Sequence, residues 1–392
     1  MVPVRFALHV LYRGSGVPLH SNPIKTSAIT ILSCFIQSIS HNQDSKSNHQ
    51  EHYLNRAISD SDFPITLNTA EKQINKAKEL ASQHLGTKAT SAQLMTTQGC
   101  FSKTLEVSLQ DGRNIIIQFR IESLDLEPFF RARQLLGDMV PIIEAIHDPE
   151  LVEASVWPFY MTRIPGKPWL EFENTWKENQ RATCAKSLGR VFARCFVEGS
   201  AGDVVDSDII PNLHKIRKLA LERNDVKPFS GLIAELIKEA PTLNKLPLFF
   251  GHLDMNEMNV LVTEKAEITG IIDWELSPPP RPFGIACYCI QFLAGEIVDK
   301  EFRERSGFEA IDRAFWAGLL ENTPNNIRHV LEANWKAVQT SIIIGTILKV
   351  MAIEGDQVFV STITLKALPL LIHYRIPALR GSGKAYATEN IS

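Results

Sequence analysis

The chain has 392 residues, of which 44% are hydrophobic and 22% charged. This composition is ordinary for a globular protein, and the length allows two lobes or domains with their own cores. The formal net charge of −3 gives no basic footprint, so we expect no nucleic-acid partner. The six cysteines are scattered, and the pair Cys287 and Cys289 lacks a second pair at zinc-ligand spacing. We interpret all six as reduced thiols of an intracellular protein.

The first 65 residues differ in composition from the rest. Arg5, Arg13 and Lys25 come before the first acidic residue, Asp44, and Ser and Thr are frequent. This pattern is typical of a mitochondrial transit segment, while an unstructured extension or a misplaced gene start explains it equally well. The expected location is therefore cytoplasmic or mitochondrial. The apolar stretch 26–39 is shorter than a bilayer requires, so no membrane span is predicted.

Residues 66–163 combine helical patterns with short β-branched runs. Thr69 as an N-cap and Gly86 as a stop delimit an amphipathic helix, and Glu127 opens a second helix that continues to residue 136. The β-branched runs are bounded by turn residues and therefore predict strands. These strands cover residues 103–109, 113–120 and 157–163.

Beyond residue 164 the apolar residues recur mostly at helical spacing. The short β-rich runs in the middle of this region are the exception. Strands are predicted at 246–250, 260–263 and 268–272, and helices at 174–196, 209–221 and 232–239, with a largely helical stretch over 285–376. Residues 380–392 are expected to form a loose tail.

The segment from Leu248 to Glu275 carries the chemistry. It contains His252, Asp254 and Asn259 at the spacing H-x-D-x-x-x-x-N, which is that of the catalytic loop in kinase-like phosphotransferases. Asp273 ends an apolar run further along the chain. Phosphoryl transfer needs an acceptor oxygen held in line and a neutralised phosphate charge, and Mg²⁺ prefers hard oxygen ligands.

These residue types predict distinct roles. We expect Asp254 to orient the acceptor hydroxyl and take its proton, and His252, together with Glu275, to brace the loop. Asn259 and Asp273 are the expected Mg²⁺ ligands. The strand, loop, strand, turn, strand pattern around them should bring these side chains together at one rim.

The segment GHLDMNEMNVLV…GIIDWE resembles the aminoglycoside phosphotransferase and choline kinase branch of the protein-kinase-like superfamily, especially fungal proteins of the phosphotransferase enzyme family. The resemblance extends to IIIQFR (115–120), ARQLLGDMVPIIEAI (132–146) and WPFYMTRIPGKPWL (157–170), and it covers roughly residues 90–375. It implies an α+β, two-lobed kinase-like fold. The expected parts are an extension at 1–65, a small antiparallel-sheet lobe at 66–163, a helical lobe at 164–379 and a tail at 380–392.

The resemblance also implies a site for ATP or GTP between the lobes. Gly99 precedes the first hairpin, where kinases cover the phosphates with backbone amides, although a plain hairpin would also explain it. The phosphate-binding Lys or Arg of the family aligns with Gln118, which leaves Arg120 as the nearest cation, and a surface-edge arginine is the alternative. The family's acidic partner of that cation falls on Glu127. Adenine is expected to meet the backbone around Met161 and Thr162.

One departure from the family concerns Gly284, which stands where related enzymes often have another aspartate that braces the catalytic loop. Together with Gln118 it leaves open a pseudokinase that serves as a nucleotide-binding or interaction module. The retained Asp254, Asn259 and Asp273 instead favour an ATP-dependent phosphotransferase that acts on a hydroxyl of an unidentified small molecule. No protein-kinase activation segment follows the last of these residues, so protein acceptors are not expected.

Overall fold

The computed structural model describes residues 58–379, except 97, 100, 173, 174, 278, 299 and 300. The predicted tail lies outside the described residues, as does the N-terminal segment up to residue 57. Within the described part, no helix combines the length and the hydropathy that a membrane crossing requires.

The N-terminal part is a five-stranded antiparallel sheet with strand order β1-β2-β3-β5-β4. A helix, α1, packs against β1 and β2 and begins where Thr69 caps the backbone N–H of Lys72. Apolar residues of these strands and this helix form a buried cluster of their own, separate from the larger cluster of the chain. The elements are α1 (Ala70–Leu85), β1 (Ala89–Leu94), β2 (Ser102–Leu109), β3 (Asn114–Arg120), α2 (Glu127–Leu136), β4 (Ile143–Ala145), α3 (Pro149–Glu153) and β5 (Trp157–Thr162).

The remainder is mainly helical, with short strands between the helices. The helices are α4 (Glu178–Phe192), α5 (Gly202–Val204), which continues through a π-turn into α6 (Ile210–Glu222), α7 (Ser230–Glu239), α8 (Cys289–Ala294), α9 (Phe308–Asn322), α10 (Asn325–Ala333), α11 (Trp335–Val350) and α12 (Thr362–Leu371). The strands are β6 (Lys167–Pro168), β7 (Phe196–Val197), β8 (Leu248–Phe249), β9 (Val260–Val262), β10 (Ile268–Ile271), β11 (Arg281–Pro282), β12 (Gly295–Val298), β13 (Glu301–Glu304), β14 (Met351–Glu354) and β15 (Gln357–Val360). The predicted α+β fold, with a small antiparallel sheet and a larger helical part, is confirmed.

Helices α4 and α9 form the tightest helix pair of the helical part. A Cβ atom on Gly189 would lie 2.1 Å from the carbonyl oxygen of Phe315, and one on Gly318 would lie 2.1 Å from that of Lys186. The two backbones are therefore in direct contact, which only glycine allows at both positions. This packing fixes one wall of the core that supports the catalytic segment.

Two details differ from the sequence-based expectation. The helix predicted over 174–196 begins only at Glu178, because Gln180 accepts a hydrogen bond from the backbone N–H of Lys177 and starts the helix there. The stretch 285–376 is largely helical as predicted, yet it also contains two antiparallel hairpins, β12–β13 and β14–β15. These hairpins are short, so neither produces a strong alternating pattern in the sequence.

Candidate active site

The loop between β8 and β9 holds Asp254 so that both of its carboxylate oxygens have protein partners. The side chain is 1% exposed. Its Oδ2 accepts hydrogen bonds from the Nδ2 atoms of Asn256 (3.2 Å) and Asn259 (3.3 Å), and its Oδ1 lies 3.1 Å from Nζ of Lys349. Both carboxylate oxygens are therefore fixed by protein donors.

His252 connects this loop to the segment that carries Asp273. Its Nε2 donates to the carbonyl oxygen of Ile272 (2.9 Å) and its Nδ1 accepts from the backbone N–H of Asp254 (3.2 Å). These two partners fix the neutral tautomer protonated on Nε2, and burial lowers the pKa of the ring. The ring also packs edge-on against Trp274, with centroids 4.8 Å apart. This geometry suits the bracing role expected for His252.

Asn259 and Asp273 lie side by side because the backbone joins their segments. The N–H of Ile272 donates to the carbonyl oxygen of Asn259 (3.0 Å), and Nδ2 of Asn259 donates to the carbonyl oxygen of Asp254 (2.9 Å). Asp273 adopts a left-handed conformation with φ of 68°, which Asp and Asn tolerate better than most residues. Burial raises the pKa of Asp273 to about 6; the charge of Arg120 opposes the rise and that of Asp254 adds to it.

A cavity of about 250 Å³ opens between the sheet and the helical part. Most of its wall is apolar, and the polar residues that line it include Asn259, Asp273 and Glu275. Among the predicted site residues it is lined by Gly99, Gln118, Arg120, Met161, Thr162, Asn259 and Asp273. Asp254, His252 and Glu127 do not line it.

Arg120 is the buried cation of this cavity. Its Nη2 lies 2.5 Å from Oε2 of Glu275, and its Nη1 donates to Oε1 of Gln118 (3.3 Å). Its buried Nε has no hydrogen-bond partner among the residues that the structure describes. Gln118 in turn donates to the hydroxyls of Ser102 (3.0 Å) and Thr104 (3.2 Å). Arg120 is thus part of the cavity wall and not an arginine at the surface edge.

The carboxylate that faces Arg120 is Glu275. Burial, and then the charge of Asp273, raise the pKa of Glu275 to about 8, against the opposing effect of Arg120. Glu127, expected as the partner, is exposed at the start of α2 and forms no ion pair within the described residues. The structure therefore does not bring Glu127 to the site. The sequence predicted only a bracing role for Glu275, and its position two residues after Asp273 was the available signal.

The expected adenine contacts lie at the end of β5. Met161 pairs with strands on both sides, and the N–H of Thr162 donates to the carbonyl oxygen of Ile142 (3.0 Å). Arg163 follows, and its guanidinium contacts the carbonyl oxygen of Ile164 and Oε1 of Glu106. Both predicted residues line the cavity, at the point where the chain passes from the sheet to the helical part.

The opposite side of the catalytic loop is covered by two residues that the motif did not identify. The hydroxyl of Tyr288 donates to the carbonyl oxygen of Leu253, and Lys349, in the last turn of α11, reaches Asp254. Gly284, where the resemblance led us to expect an aspartate, has φ of 106°. The structure therefore holds the loop from this side through Tyr288 and Lys349.

Three comparisons with known proteins bear on this site. The model of the Phosphotransferase enzyme family matches residues 106–279. No curated protein sequence matches the chain significantly. Among solved structures, an ethanolamine kinase of Plasmodium vivax is 12% identical with a TM-score of 0.48, covering 85% of this chain and 91% of that chain. A macrolide 2'-phosphotransferase of Brachybacterium faecium is 14% identical with a TM-score of 0.43, covering 71% and 93%.

The matched region contains the elements on which the site is built. It begins within β2, includes β3 with Arg120, and ends just beyond Glu275. It therefore contains the catalytic loop and the segment that carries Asp273. The predicted resemblance to the phosphotransferase enzyme family is confirmed, and residues 106–279 are the part of the chain that carries it.

Proposed function

We propose that this protein transfers the γ-phosphoryl group of ATP or GTP to a hydroxyl of a small molecule, with Mg²⁺. One observation carries the proposal. Asp273 and Asn259, the latter hydrogen-bonded to Asp254, both line a cavity whose wall also contains the buried cation Arg120. A carboxylate for the acceptor, oxygen ligands for a metal and a cation for phosphate are the parts that phosphoryl transfer needs.

The nucleotide fits the two ends of the cavity. Apolar side chains such as Ile116 and Leu261 line the part near the end of β5, where a purine base would be buried. At the other end Arg120 has an unpartnered Nε within the described residues, and a guanidinium is a strong phosphate ligand. Because burial raises the pKa of Glu275 to about 8, this carboxyl is readily neutralised, and phosphate oxygens would then replace it beside Arg120.

The residues also fit Mg²⁺. Among the described residues no cluster of three or more His, Cys, Asp or Glu side chains is placed to hold a metal by itself. Asn259 and Asp273 offer two oxygen ligands, and Mg²⁺ usually completes its shell with water and phosphate oxygens. When bound, Mg²⁺ neutralises charge on the β and γ phosphates. Asp273 is buried near the like charge of Asp254, so a cation is the partner that this end of the cavity favours.

The roles of the other residues follow from their contacts. Asn256 and Asn259 hold Oδ2 of Asp254, which leaves Oδ1 to accept the proton of the acceptor hydroxyl. His252 holds the loop against Ile272 and so fixes the separation between the proton acceptor and Asp273. Geometry of this kind supplies most of the catalysis in phosphoryl transfer.

Thermal melting with and without Mg·ATP and Mg·GTP tests the nucleotide site. A ligand at one hundred times its dissociation constant stabilises the folded state by about 2.7 kcal/mol, so the melting temperature should rise only when metal and nucleotide are both present. Asp273→Asn should abolish most of the rise. Asparagine is the appropriate replacement because it keeps the left-handed backbone of this position, which alanine would strain. Asp138→Asn, at a fully exposed carboxylate, is the matched control.

If the metal-dependent rise in melting temperature survives in Asp273→Asn, the metal binds at another site. If the melting temperature rises with neither nucleotide, the proposal is refuted. The alternative, a pseudokinase that binds nucleotide without transfer, is favoured by Gln118 in place of the family's cation. Phosphate transfer measured over a panel of hydroxyl compounds, in the wild type and in Asp254→Asn, separates the two. An enzyme loses turnover in Asp254→Asn while its nucleotide-dependent melting shift remains.

A further inference from the structure

The side chain of Lys349 occupies the acceptor side of the proposed catalytic aspartate. Its Nζ lies 3.1 Å from Oδ1 of Asp254 and 3.4 Å from the carbonyl oxygen of Leu253. The two charged side chains are 8% and 1% exposed. Oδ1 is the oxygen that Asn256 and Asn259 leave free, so the ammonium donates where the hydroxyl of an acceptor would have to donate.

The position of Lys349 is set by the backbone of α11. A Cβ atom on Gly345 would lie 2.0 Å from the carbonyl oxygen of Ile285, so this helix is in direct backbone contact with the segment after the catalytic strands. Thr346 also accepts a hydrogen bond from Gln291 (3.3 Å). Lys349 is therefore delivered to Asp254 by a packed helix and is not a loose surface lysine that happens to point inward.

The two sides of the site differ in access. The cavity reaches Asn259 and Asp273 but not Asp254. A nucleotide can therefore bind without touching the ion pair between Lys349 and Asp254. Asp254 itself is buried, and the ammonium of Lys349 occupies its Oδ1.

We propose that Lys349 gates the acceptor side of the site, so that its ammonium must leave Oδ1 of Asp254 before any hydroxyl can bind there. The inference rests on the proposed phosphotransferase function and names how that site is regulated. Its consequence is protection from futile hydrolysis. In hydrolysis the oxygen of water bonds to the γ-phosphorus, the bond to the leaving nucleoside diphosphate breaks, and the proton of water passes to Asp254. While Lys349 is bound to Oδ1, water cannot pass its proton to Asp254, and this holds until an acceptor displaces the ammonium.

Carboxyl labelling tests the gate without requiring any activity. The metal-free protein is treated with a water-soluble carbodiimide and an amine, and the modification of Asp254 is measured by mass spectrometry. Asp254 should be protected in the wild type and labelled at least several-fold more in Lys349→Met. Lys349→Arg keeps the charge and should stay protected. Lys336→Met, at an exposed position of the same helix, is the matched control, and the exposed Asp138 should be labelled equally in all four proteins.

Basal hydrolysis of ATP is the second measurement. Lys349→Met should hydrolyse ATP several-fold faster than the wild type in the absence of acceptor, and adding Asp254→Asn should remove the increase. Equal labelling of Asp254 in the wild type and Lys349→Met would overturn the gate. So would unchanged or slower hydrolysis in Lys349→Met when its melting shift with Mg·ATP is intact. If no variant shows that melting shift, the proposed function fails, and the labelling still decides whether Lys349 shields Asp254.

Discussion

Replacing Gly284 with alanine tests whether the structure has room for a side chain at this position. Gly284 has φ of 106°, and a Cβ atom there would lie 2.5 Å from Oγ and 2.8 Å from Cβ of Ser341, and 3.1 Å from the carbonyl oxygen of Val338. The backbone of Gly284, with φ of 106° and ψ of −33°, lies outside the left-handed helical region, and holding an L-residue in such a sparsely populated conformation costs about 1–3 kcal/mol. Overpacking a tight site adds about 1–3 kcal/mol, so we expect Gly284→Ala to lower the free energy of unfolding by about 2–6 kcal/mol.

Urea unfolding followed by tryptophan fluorescence measures the loss, and the chain contains a matched control. Gly86 also has a positive φ, of 63°, but no atom lies within 4 Å of the position that a Cβ atom would take there. Gly86→Ala should therefore lose only the conformational part, about 1 kcal/mol. Equal losses in the two variants would refute the steric argument. A loss at Gly284 that exceeds the control would show that a side chain there meets Ser341 and Val338.

Three further outcomes are expected. Burial raises the pKa of Asp273 from 3.8 to about 6, so in the metal-free protein a contribution of about 3 kcal/mol to stability is present below pH 3.8 and is lost as the pH rises through 6. Asp273→Asn should therefore melt at a higher temperature than the wild type at pH 8 and lose this advantage near pH 4. Equal differences in melting temperature at the two pH values would contradict this cause. Arg120→Gln should weaken Mg·ATP binding by about ten- to a hundredfold in calorimetry, since a charged hydrogen bond contributes roughly 1.5–3 kcal/mol, and unchanged affinity would place the phosphates elsewhere. Tyr374→Phe should lower the free energy of unfolding, measured in urea, by about 1–3 kcal/mol, because the buried hydroxyl of Tyr374 donates to Asp312 (2.8 Å) and accepts from Trp316 (2.9 Å). An unchanged free energy of unfolding would mean that these hydrogen bonds do not contribute to stability.

The catalytic segment was predictable from sequence because its geometry is local. Asp254 and Asn259 are on one short loop, so their spacing fixes that they meet. Asp273 follows a hairpin whose strands are short and β-branched, and this hairpin returns the chain to the same rim. The helix from Ala70 to Leu85 was equally readable, because its Thr69 cap and Gly86 stop are local signals.

The parts that escaped prediction depend on contacts between distant segments. Arg120 meets Glu275 only because β3 and the segment after β10 face the same cavity, and the helix-opening Glu127 was the nearer candidate in sequence. Lys349 ends a helix with twelve buried residues among its sixteen, and no pattern shows that its charge turns toward Asp254. From the sequence, the glycine at position 284 predicted only that an aspartate bracing the catalytic loop is absent. The structure adds that Ser341 leaves no room for a side chain there.

These contacts make the two sides of the proposed site differ in how easily a ligand can bind. The nucleotide side is an open cavity in which Arg120 and Asp273 are already present, so binding there requires only that phosphate replace Glu275. The acceptor side is closed by a buried ion pair, and separating such a pair without a substitute donor costs several kcal/mol. A hydroxyl compound alone gains little by opening it. On the proposed function, an acceptor must therefore bring its own donor to Oδ1 of Asp254 as Lys349 leaves it.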